Sequence, residues 1–273
     1  MKINDQDFIF LAKIIKDKSG ICLTKDKAYL IETRLLPVIR KHSINDFTAL
    51  CSMLQMAPNK LIEEEIIEAM TTNETSFFRD LKPFEYLIND VLPHVIQNSK
   101  SAKIRIWSGA CSSGQEAYST CIKLLENQAK MGGKAFEIIA TDIDNIILEK
   151  ARKAAYTQFD VQRGLPITML VKYFTQQGES WLLKDNIKSL VKFERLNLLD
   201  ANYLGVLKDK FDIVFCRNVL IYFDEETKIA VLTKIAKLMH PHSVLFLGSA
   251  ENPTAYCKIL KPYKDINGLF CLA

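Results

Sequence analysis

The sequence lacks the features that direct a chain into a membrane or an oxidising compartment. Its seven cysteines are scattered and never spaced C-x-x-C, which argues against a disulfide framework or a structural zinc site and for reducing surroundings. No apolar run approaches the roughly 18 residues of a membrane span. The charge-rich start MKINDQDFIFLAKIIKDKSG has no apolar signal-peptide core. We therefore expect a cytoplasmic protein without direct membrane insertion.

A strong excess of either charge is also missing. Thirty-six Lys and Arg residues accompany 32 Asp and Glu residues, so the formal net charge of the 273-residue chain is only +4. A dedicated nucleic-acid binder would be more basic, and we expect no nucleic-acid partner. The 48% hydrophobic and 25% charged content is typical of a globular protein with one large domain and a small one.

Helical periodicity dominates the first 71 residues, whereas strands and helices alternate from residue 103 onward. The early pattern predicts helices at about 4–18, 25–42, 45–56 and 59–71, the second of them bent or ended early by Pro37. The later alternation predicts an α/β domain with a mostly parallel, doubly wound sheet. Its predicted strands are 103–107, 136–142, 211–217 and 244–248, its helices are 115–129, 144–155 and 225–239, and an antiparallel hairpin near 256–260 and 268–273 closes the sheet.

Residues 156–195 interrupt this alternation. They contain Gly and Pro turns and the short alternating run SWLLKD, which predicts an inserted element of short strands. We therefore divide the chain into a helical domain (1–71), a linker with a connecting helix (72–90) and an α/β domain (91–273) that contains the insertion.

The loop after the first predicted strand, Gly-Ala-Cys-Ser-Ser-Gly at 109–114, is positioned to bind a ligand. It lacks the middle glycine of the dinucleotide fingerprint, and Gln115 and Glu116 stand where a phosphate loop has Lys and Ser or Thr. Because a carboxylate there would repel phosphates, we expect a phosphate-free ligand that carries positive charge. S-adenosyl-L-methionine meets both conditions, and Glu116 is placed to offset its ammonium group.

An acidic residue, Asp142, ends the second predicted strand. In nucleotide-binding α/β proteins, an acid at this position accepts hydrogen bonds from the ribose hydroxyls. Asp142 could equally cap the following helix, a role that suits Asp144 as well. The sequence alone favours neither the ribose-binding role nor the helix-cap role for Asp142.

Five segments in chain order resemble the motifs of the chemotaxis receptor methyltransferase family, CheR. They are TTNETSFFRD (71–80), IWSGACSSGQEAYS (106–119), ATDID (140–144), RLNLL (195–199) and FDIVFCRNVLIYFD (211–224). The resemblance implies a class I S-adenosylmethionine-dependent methyltransferase fold, Rossmann-like, with a small all-α N-terminal domain and an inserted small antiparallel β-subdomain. It also implies methyl transfer to glutamate side chains on the cytoplasmic methylation helices of bacterial chemoreceptors, with S-adenosyl-L-homocysteine as the other product. We expect a monomer.

The resemblance also assigns roles to individual residues. Contacts with the cofactor are implied for Asn73, Thr75, Ser76, Arg79, Glu116, Asp142, Asn197, Leu198 and Asn218. Arg79 is implied to reach the reaction centre, and Tyr222 is implied to lie near the transferred methyl. Arg34 and Arg40 resemble the basic positions that meet the acidic receptor helices. The family often has Gly-Glu-Glu-Pro-Tyr-Ser where this chain has GQEAYS, so the first acid and the proline are replaced while Glu116 is retained.

A glutamate substrate would explain why no general base stands out. Its pKa of about 4.3 leaves it ionised at neutral pH, and none of the four histidines (42, 94, 240 and 242) lies in a motif. Arg79 would hold one carboxylate oxygen and leave the other free to attack.

Simpler interpretations remain open from the sequence alone. Thr71-x-x-Glu74 fits a capping box at a helix start that precedes a buried Phe77-Phe78 pair. Tyr222 could be a core aromatic residue, and the basic edge of the second helix could be a solvated face. The protein could also methylate another substrate, or act as a signalling scaffold without catalysis.

Overall fold

A computed structural model describes residues 1–201 and 203–273 of the chain. This part of the chain divides into two compact units. The first contains Met1–Thr72 and Tyr222–Lys228, and the second contains Asn73–Ile221 and Ile229–Ala273. Among the described helices, none has the length and apolar character needed to cross a membrane.

The first unit is helical, as the early periodicity predicts. Its helices are α1 (Asp5–Ser19), α2 (Ala28–Arg34), α3 (Leu36–Lys41), α4 (Phe47–Met56) and α5 (Lys60–Met70), with a 3₁₀ turn at Lys25–Lys27. The predicted second helix is divided at Leu35, two residues before Pro37, so the predicted interruption is confirmed. The side chains of Asn4, Asp46 and Asn59 cap the N-termini of α1, α4 and α5.

The short segment Tyr222–Lys228 packs within this helical unit. The Tyr222 carbonyl accepts a hydrogen bond from the Cys22 backbone N–H at 2.9 Å. Lys16 and Asp224 form an ion pair at 2.6 Å. Gly20 ends α1 at φ +79°, and a Cβ there would lie 3.1 Å from the ring of Phe223. The end of the last predicted motif, together with the four residues after it, therefore completes the helical unit.

The second unit is built on a seven-stranded sheet in the order β6-β2-β1-β7-β8-β10-β9. The first five strands are mutually parallel, and β10 and β9 add an antiparallel edge. The bounds are β1 (Lys103–Gly109), β2 (Ala135–Asp142), β6 (Val191–Arg195), β7 (Phe211–Phe215), β8 (Met239–Phe246), β9 (Leu260–Pro262) and β10 (Leu269–Leu272). Every residue of β7 is buried, as expected for a strand covered on both faces. The predicted doubly wound sheet and its closing hairpin are confirmed.

Helices connect and cover the strands of this sheet. A continuous helical stretch comprises α6 (Lys82–Tyr86), a π-helical turn (Leu87–Val91) and α7 (Leu92–Asn98), and the domain boundary predicted at residue 90 falls inside it. The crossover helices are α8 (Gln115–Glu126), α9 (Asn145–Lys153), α13 (Tyr203–Leu207) and α14 (Glu225–Lys237).

The predicted insertion forms a separate three-stranded antiparallel sheet in the order β3-β5-β4. It contains β3 (Ala155–Thr157), α10 (Gln158–Gln162), α11 (Ile167–Tyr173), β4 (Phe174–Gln177), β5 (Ser180–Leu183) and α12 (Asp185–Lys188). Its predicted end at residue 195 is wrong, because Val191–Arg195 pairs with β2 in the main sheet. This edge strand buries only Val191 and Phe193 and so has the alternation of a small antiparallel strand.

The order of the main sheet identifies where a ligand would bind. Strand β1 lies between β2 and β7, so the chain leaves β1 in one direction and returns on its other side. The carboxyl ends of parallel strands next to such a reversal form a crevice. The predicted motifs follow β1, β2, β6 and β7, and the sheet therefore gathers them at one edge.

Candidate active site

Three residues of the loop between β1 and α8 have positive backbone φ angles. Ala110 and Ser112 have φ values of +55° and +51°, and Gly114 has φ +89°. A Cβ at Gly114 would lie 3.2 Å from the Ala151 Cβ and from the Phe193 ring, so glycine suits both the conformation and the space. The motif glycine at 114 therefore lets α8 begin close to α9 and β6.

Asp142 at the end of β2 holds this loop in place. Its Oδ2 accepts a hydrogen bond from the Ser112 N–H at 2.8 Å, and its Oδ1 accepts one from the Asp144 N–H at 3.1 Å. Only 6% of Asp142 is exposed. Burial raises the pKa of its carboxyl from 3.8 to about 6, although the backbone hydrogen bonds favour the ionised form.

Asp144 caps α9, which resolves one of the alternatives for Asp142. The Asp144 Oδ1 accepts a hydrogen bond from the Ile147 N–H at 3.0 Å, and its backbone is extended, as in an N-cap. The helix-cap interpretation of Asp142 is therefore wrong, because its neighbour two residues on has that role.

The segment 73–81 is a linker with a fixed path rather than a helix start. Its capping-box interpretation is wrong because the next helix, α6, begins only at Lys82. The Asn73 side chain donates to Asp144 Oδ2 at 2.8 Å, and the Asn73 carbonyl accepts from Ser112 Oγ at 2.9 Å. The Phe78 N–H donates to Ser119 Oγ at 2.9 Å. The linker is thereby joined to the loop after β1 and to α8.

Arg79 and its neighbours line an open pocket of about 510 Å³, which we call the linker pocket. It is bounded by residues 74–81 together with Arg163 and Gly164, so Thr75 and Ser76 also face it. Arg79 donates to the Glu74 carbonyl at 3.1 Å. Within the described residues, the Arg79 guanidinium has no carboxylate partner. The positive charge of Arg79 is therefore not neutralised by a described carboxylate, as the role implied for it by the resemblance requires.

Glu116 lies in a charge network around the buried Arg217, a residue that the sequence reasoning missed. The Arg217 Nη1 donates to Glu116 Oε2 at 3.0 Å, and its Nη2 donates to Asp80 Oδ2 at 2.7 Å. Ser108 Oγ donates to the other Glu116 oxygen at 2.9 Å. The Arg217 side chain is only 2% exposed. Arg217 lies two residues after a fully buried strand, and this position was a usable signal, since a buried arginine needs carboxylate partners.

A second missed residue, Glu251, fixes the chain after β7. Glu251 is 5% exposed, and it accepts hydrogen bonds from the N–H groups of Gly248 at 2.6 Å, Asn218 at 2.8 Å and Ile221 at 3.3 Å. Asn218 has φ +60°, and a Cβ at Gly248 would lie 2.8 Å from its side-chain amide nitrogen. Glu251 therefore sets the conformation of predicted cofactor residue Asn218.

The two predicted residues after β6, Asn197 and Leu198, adjoin the end of β2. The Leu196 N–H donates to the Asp142 carbonyl at 3.0 Å, which brings the RLNLL motif to the strand end that carries Asp142. The Asn197 side chain accepts from the Leu199 N–H at 2.9 Å and stabilises a turn there. Leu198 is buried.

The predicted receptor residues and Tyr222 lie in the helical unit. The Arg34 guanidinium donates to the Met70 and Thr71 carbonyls at 2.8 and 3.0 Å and thus caps the C-terminus of α5. Arg40 is exposed, and its side chain forms no hydrogen bond or ion pair with any described residue. Tyr222 ends a 3₁₀ turn and is partly buried.

The residues at the strand ends of the second unit fit S-adenosylmethionine. Asp142 offers an acceptor for ribose hydroxyls, and Glu116 offers a carboxylate for an ammonium group. The buried Nε of Arg217 has no hydrogen-bond partner among the described residues. No described group of three or more His, Cys, Asp or Glu residues could hold a metal ion.

The sheet order, a loop after β1 that lacks the middle glycine of the dinucleotide fingerprint, and the acid at the end of β2 define a class I methyltransferase fold of the Rossmann-like type. The family model described as "CheR methyltransferase, SAM binding domain" matches residues 73–260, and the one described as "CheR methyltransferase, all-alpha domain" matches residues 6–71. The chain therefore belongs to the CheR methyltransferase family. The resemblance based on five motifs is confirmed, as is S-adenosylmethionine as the cofactor.

Relatives with curated names are similar over nearly the whole chain. A chemotaxis protein methyltransferase of Pseudomonas putida is 38% identical over 258 residues, which cover 92% of each chain. Chemotaxis protein methyltransferase 1 of Pseudomonas aeruginosa is 38% identical over 255 residues, again 92% of each chain. Chemotaxis protein methyltransferase 2 of Vibrio cholerae is 34% identical and covers 98% of this chain and 93% of its own.

Proposed function

We propose that the protein transfers the methyl group of S-adenosylmethionine to glutamate carboxylates on the cytoplasmic helices of chemoreceptors, forming glutamyl methyl esters. The relatives named chemotaxis protein methyltransferase support the receptor as substrate. The observation that carries the choice of a carboxylate is Arg79, which lines the linker pocket and has no carboxylate partner among the described residues. An arginine so placed suits a carboxylate substrate.

The chemistry of a carboxylate nucleophile explains what this site contains. A glutamate is ionised at neutral pH because its pKa is about 4.3, so no side chain has to remove a proton. The residues that line the linker pocket accordingly include no histidine or cysteine. When bound, S-adenosylmethionine supplies a methyl group attached to a positively charged sulfur.

The protein must therefore orient the carboxylate and keep water from it. Arg79 would hold one carboxylate oxygen and leave the second free to attack. The buried rings of Phe77 and Phe78 give the segment that carries Arg79 an apolar base. We infer that Asn73, Thr75, Ser76, Glu116, Asp142, Asn197, Leu198 and Asn218 bind the cofactor.

Three roles rest on the family resemblance and belong to the proposal. Tyr222 would lie near the transferred methyl, and Arg34 and Arg40 would meet the acidic receptor helices. Arg40 is the better candidate of the two arginines, because its side chain is exposed whereas that of Arg34 is engaged at the end of α5. We further propose that the protein acts in the cytoplasm as a monomer.

Methyl transfer from labelled S-adenosylmethionine to a purified receptor cytoplasmic fragment tests the proposal. We expect a label that alkali releases as methanol, which is diagnostic of a carboxyl methyl ester. Arg79→Ala should lower kcat by on the order of a hundredfold, as for loss of one transition-state donor. Arg79→Lys should recover only part of this loss, because an ammonium lacks the planar fork.

Two results would favour the alternatives. An alkali-stable label would indicate another acceptor group and therefore another substrate. If the wild-type protein bound S-adenosylmethionine but labelled no receptor fragment, and Arg79→Ala changed nothing, a scaffold without catalysis would be the better description.

A further inference from the structure

A second arginine, Arg163, lines the linker pocket together with Arg79. It lies between α10 and α11 of the inserted element, and its guanidinium forms an ion pair with Glu74 Oε1 at 3.0 Å. The two side chains are 42% and 68% exposed. An exposed pair of this kind contributes little to stability, so its two members can exchange partners at low cost.

The backbone beside Arg163 is fixed against the linker. Gly164 has φ +84°, and a Cβ at this position would lie 2.0 Å from the Phe77 carbonyl oxygen. No side chain other than hydrogen fits there. Phe77 is two residues from Arg79, and Gly164 is next to Arg163. The backbone segments that carry the two arginines are therefore held together on one wall of the pocket.

Aromatic packing anchors this wall to the inserted sheet. The Phe77 ring contacts Tyr156 of β3 and Phe174 of β4 edge-on, with centroids 4.9 and 5.5 Å apart. On its outer side, the Arg163 guanidinium lies 5.6 Å from the ring centre of Phe159, which is 66% exposed. Arg163 is therefore near an exposed apolar side chain that is not among the residues lining the pocket.

We propose that Arg163 binds an acidic side chain of the receptor helix next to the glutamate being methylated. This inference rests on the proposed function, in which Arg79 receives the target carboxylate. On a helix, residues three or four positions apart lie on one face with Cβ atoms about 5–6 Å apart, so a flanking acid can reach a second cation on the same wall. In binding, the flanking acid replaces Glu74 as the partner of Arg163. Arg163 is then a specificity-determining residue.

Two substitutions at the ion pair distinguish recognition from a structural role. Arg163→Gln should raise the KM for the receptor fragment about two- to fivefold, the range of one exposed ion pair, and leave the KM for S-adenosylmethionine unchanged. Glu74→Gln should lower the receptor KM by about twofold, because it frees Arg163 from its internal competitor. A merely structural pair predicts that both substitutions weaken activity.

Lys172→Gln provides the matched control. Lys172 also lies in the inserted element and forms an exposed ion pair, with Glu126 at 2.6 Å, but it does not line the linker pocket. The Lys172→Gln substitution removes one positive charge, as Arg163→Gln does, and should leave the receptor KM unchanged. An equal rise in KM for both variants would show a general charge effect and overturn the proposal.

A receptor fragment in which the acids three and four positions from the target are replaced by glutamine completes the test. The wild-type enzyme should methylate this fragment with a higher KM than the original, and Arg163→Gln should treat the two alike. If the enzyme esterifies the receptor but both proteins show the same preference, the role of Arg163 is refuted while the proposed function stands. If the wild-type enzyme forms no alkali-labile ester on either fragment, the proposed function itself fails.

Discussion

Replacing Gly164 by alanine should disturb the linker pocket, because the added methyl group would overlap the linker backbone. The position has φ +84°, and the added Cβ would lie 2.0 Å from the Phe77 carbonyl oxygen and 3.2 Å from its carbonyl carbon. Carbon and carbonyl oxygen approach to about 3.3 Å in folded proteins. One of the two backbone segments must therefore move by roughly 1 Å.

The expected loss of stability has two parts. A non-glycine residue in the left-handed region costs about 1–2 kcal/mol. Forcing an extra methyl group into an occupied space costs about 1–3 kcal/mol more. The free energy of unfolding should fall by about 2–5 kcal/mol, a large part of the 5–15 kcal/mol typical of a domain.

Gly178→Ala separates these two parts. Gly178 also lies in the inserted element at positive φ (+58°), but nothing lies within 4 Å of its Cβ position. The free energy of unfolding of the Gly178→Ala variant should therefore fall only by the cost of the left-handed backbone, about 1–2 kcal/mol. Urea unfolding measures both variants, and the KM for the receptor fragment measures any shift of the wall. Equal losses in the two variants, with an unchanged KM for Gly164→Ala, would refute the close contact between Gly164 and the linker.

Three further predictions concern charged residues. Because the folded pKa of Asp142 is about 6 and lies above its unfolded value, stability should fall by up to about 3 kcal/mol as the pH rises from 4 to 6, and Asp142→Asn should lack this fall in urea titrations. Cofactor affinity should weaken as the pH drops through 6 in the wild type but not in that variant, as calorimetry can measure. Arg217→Met should cost about 3–5 kcal/mol in urea unfolding by leaving Glu116 unpaired, and adding Glu116→Gln should recover part of it. Arg34→Ala should cost about 1–3 kcal/mol from lost hydrogen bonds, whereas Arg40→Ala should change stability by less than about 0.5 kcal/mol and raise only the receptor KM in a salt-sensitive way.

The sequence predicted the main sheet well because its signals are local. Buried parallel strands such as FDIVF are short apolar runs, and the predicted starts and ends of most strands lie within a few residues of the observed ones. Strand β6 was the exception. Its pattern of alternate buried residues is that of an edge strand with one exposed face, so the sequence alone assigned Val191–Arg195 to the inserted sheet rather than to the main one.

The sequence predicts the site only where the position of a residue after a strand implies that it lies near the other strand ends. The strand ends could be assigned to one edge of the sheet, which placed Glu116 and Asp142 near the same crevice. The partners of Arg217 could not be found in this way, because Glu116 and Asp80 are 101 and 137 positions away along the chain. The contact between Gly164 and the Phe77 carbonyl likewise depends on how the insertion packs, for which residue spacing carries no signal.

Two buried carboxylates of this site, Asp142 and Glu251, stabilise the backbone conformation of the loops, apart from any contact with the cofactor. Ser112 and Asn218 both have positive φ, a conformation that costs non-glycine residues on the order of 1 kcal/mol and persists only where the surroundings enforce it. In each case a buried carboxylate accepts the N–H of the strained residue at 2.8 Å, Asp142 for Ser112 and Glu251 for Asn218. A charge-assisted hydrogen bond is strong enough to offset that cost. The two loops that border the crevice are thus pre-shaped by one acid at the end of β2 and one in the segment after β8, and an acid such as Glu251 can matter for the site without contacting the cofactor.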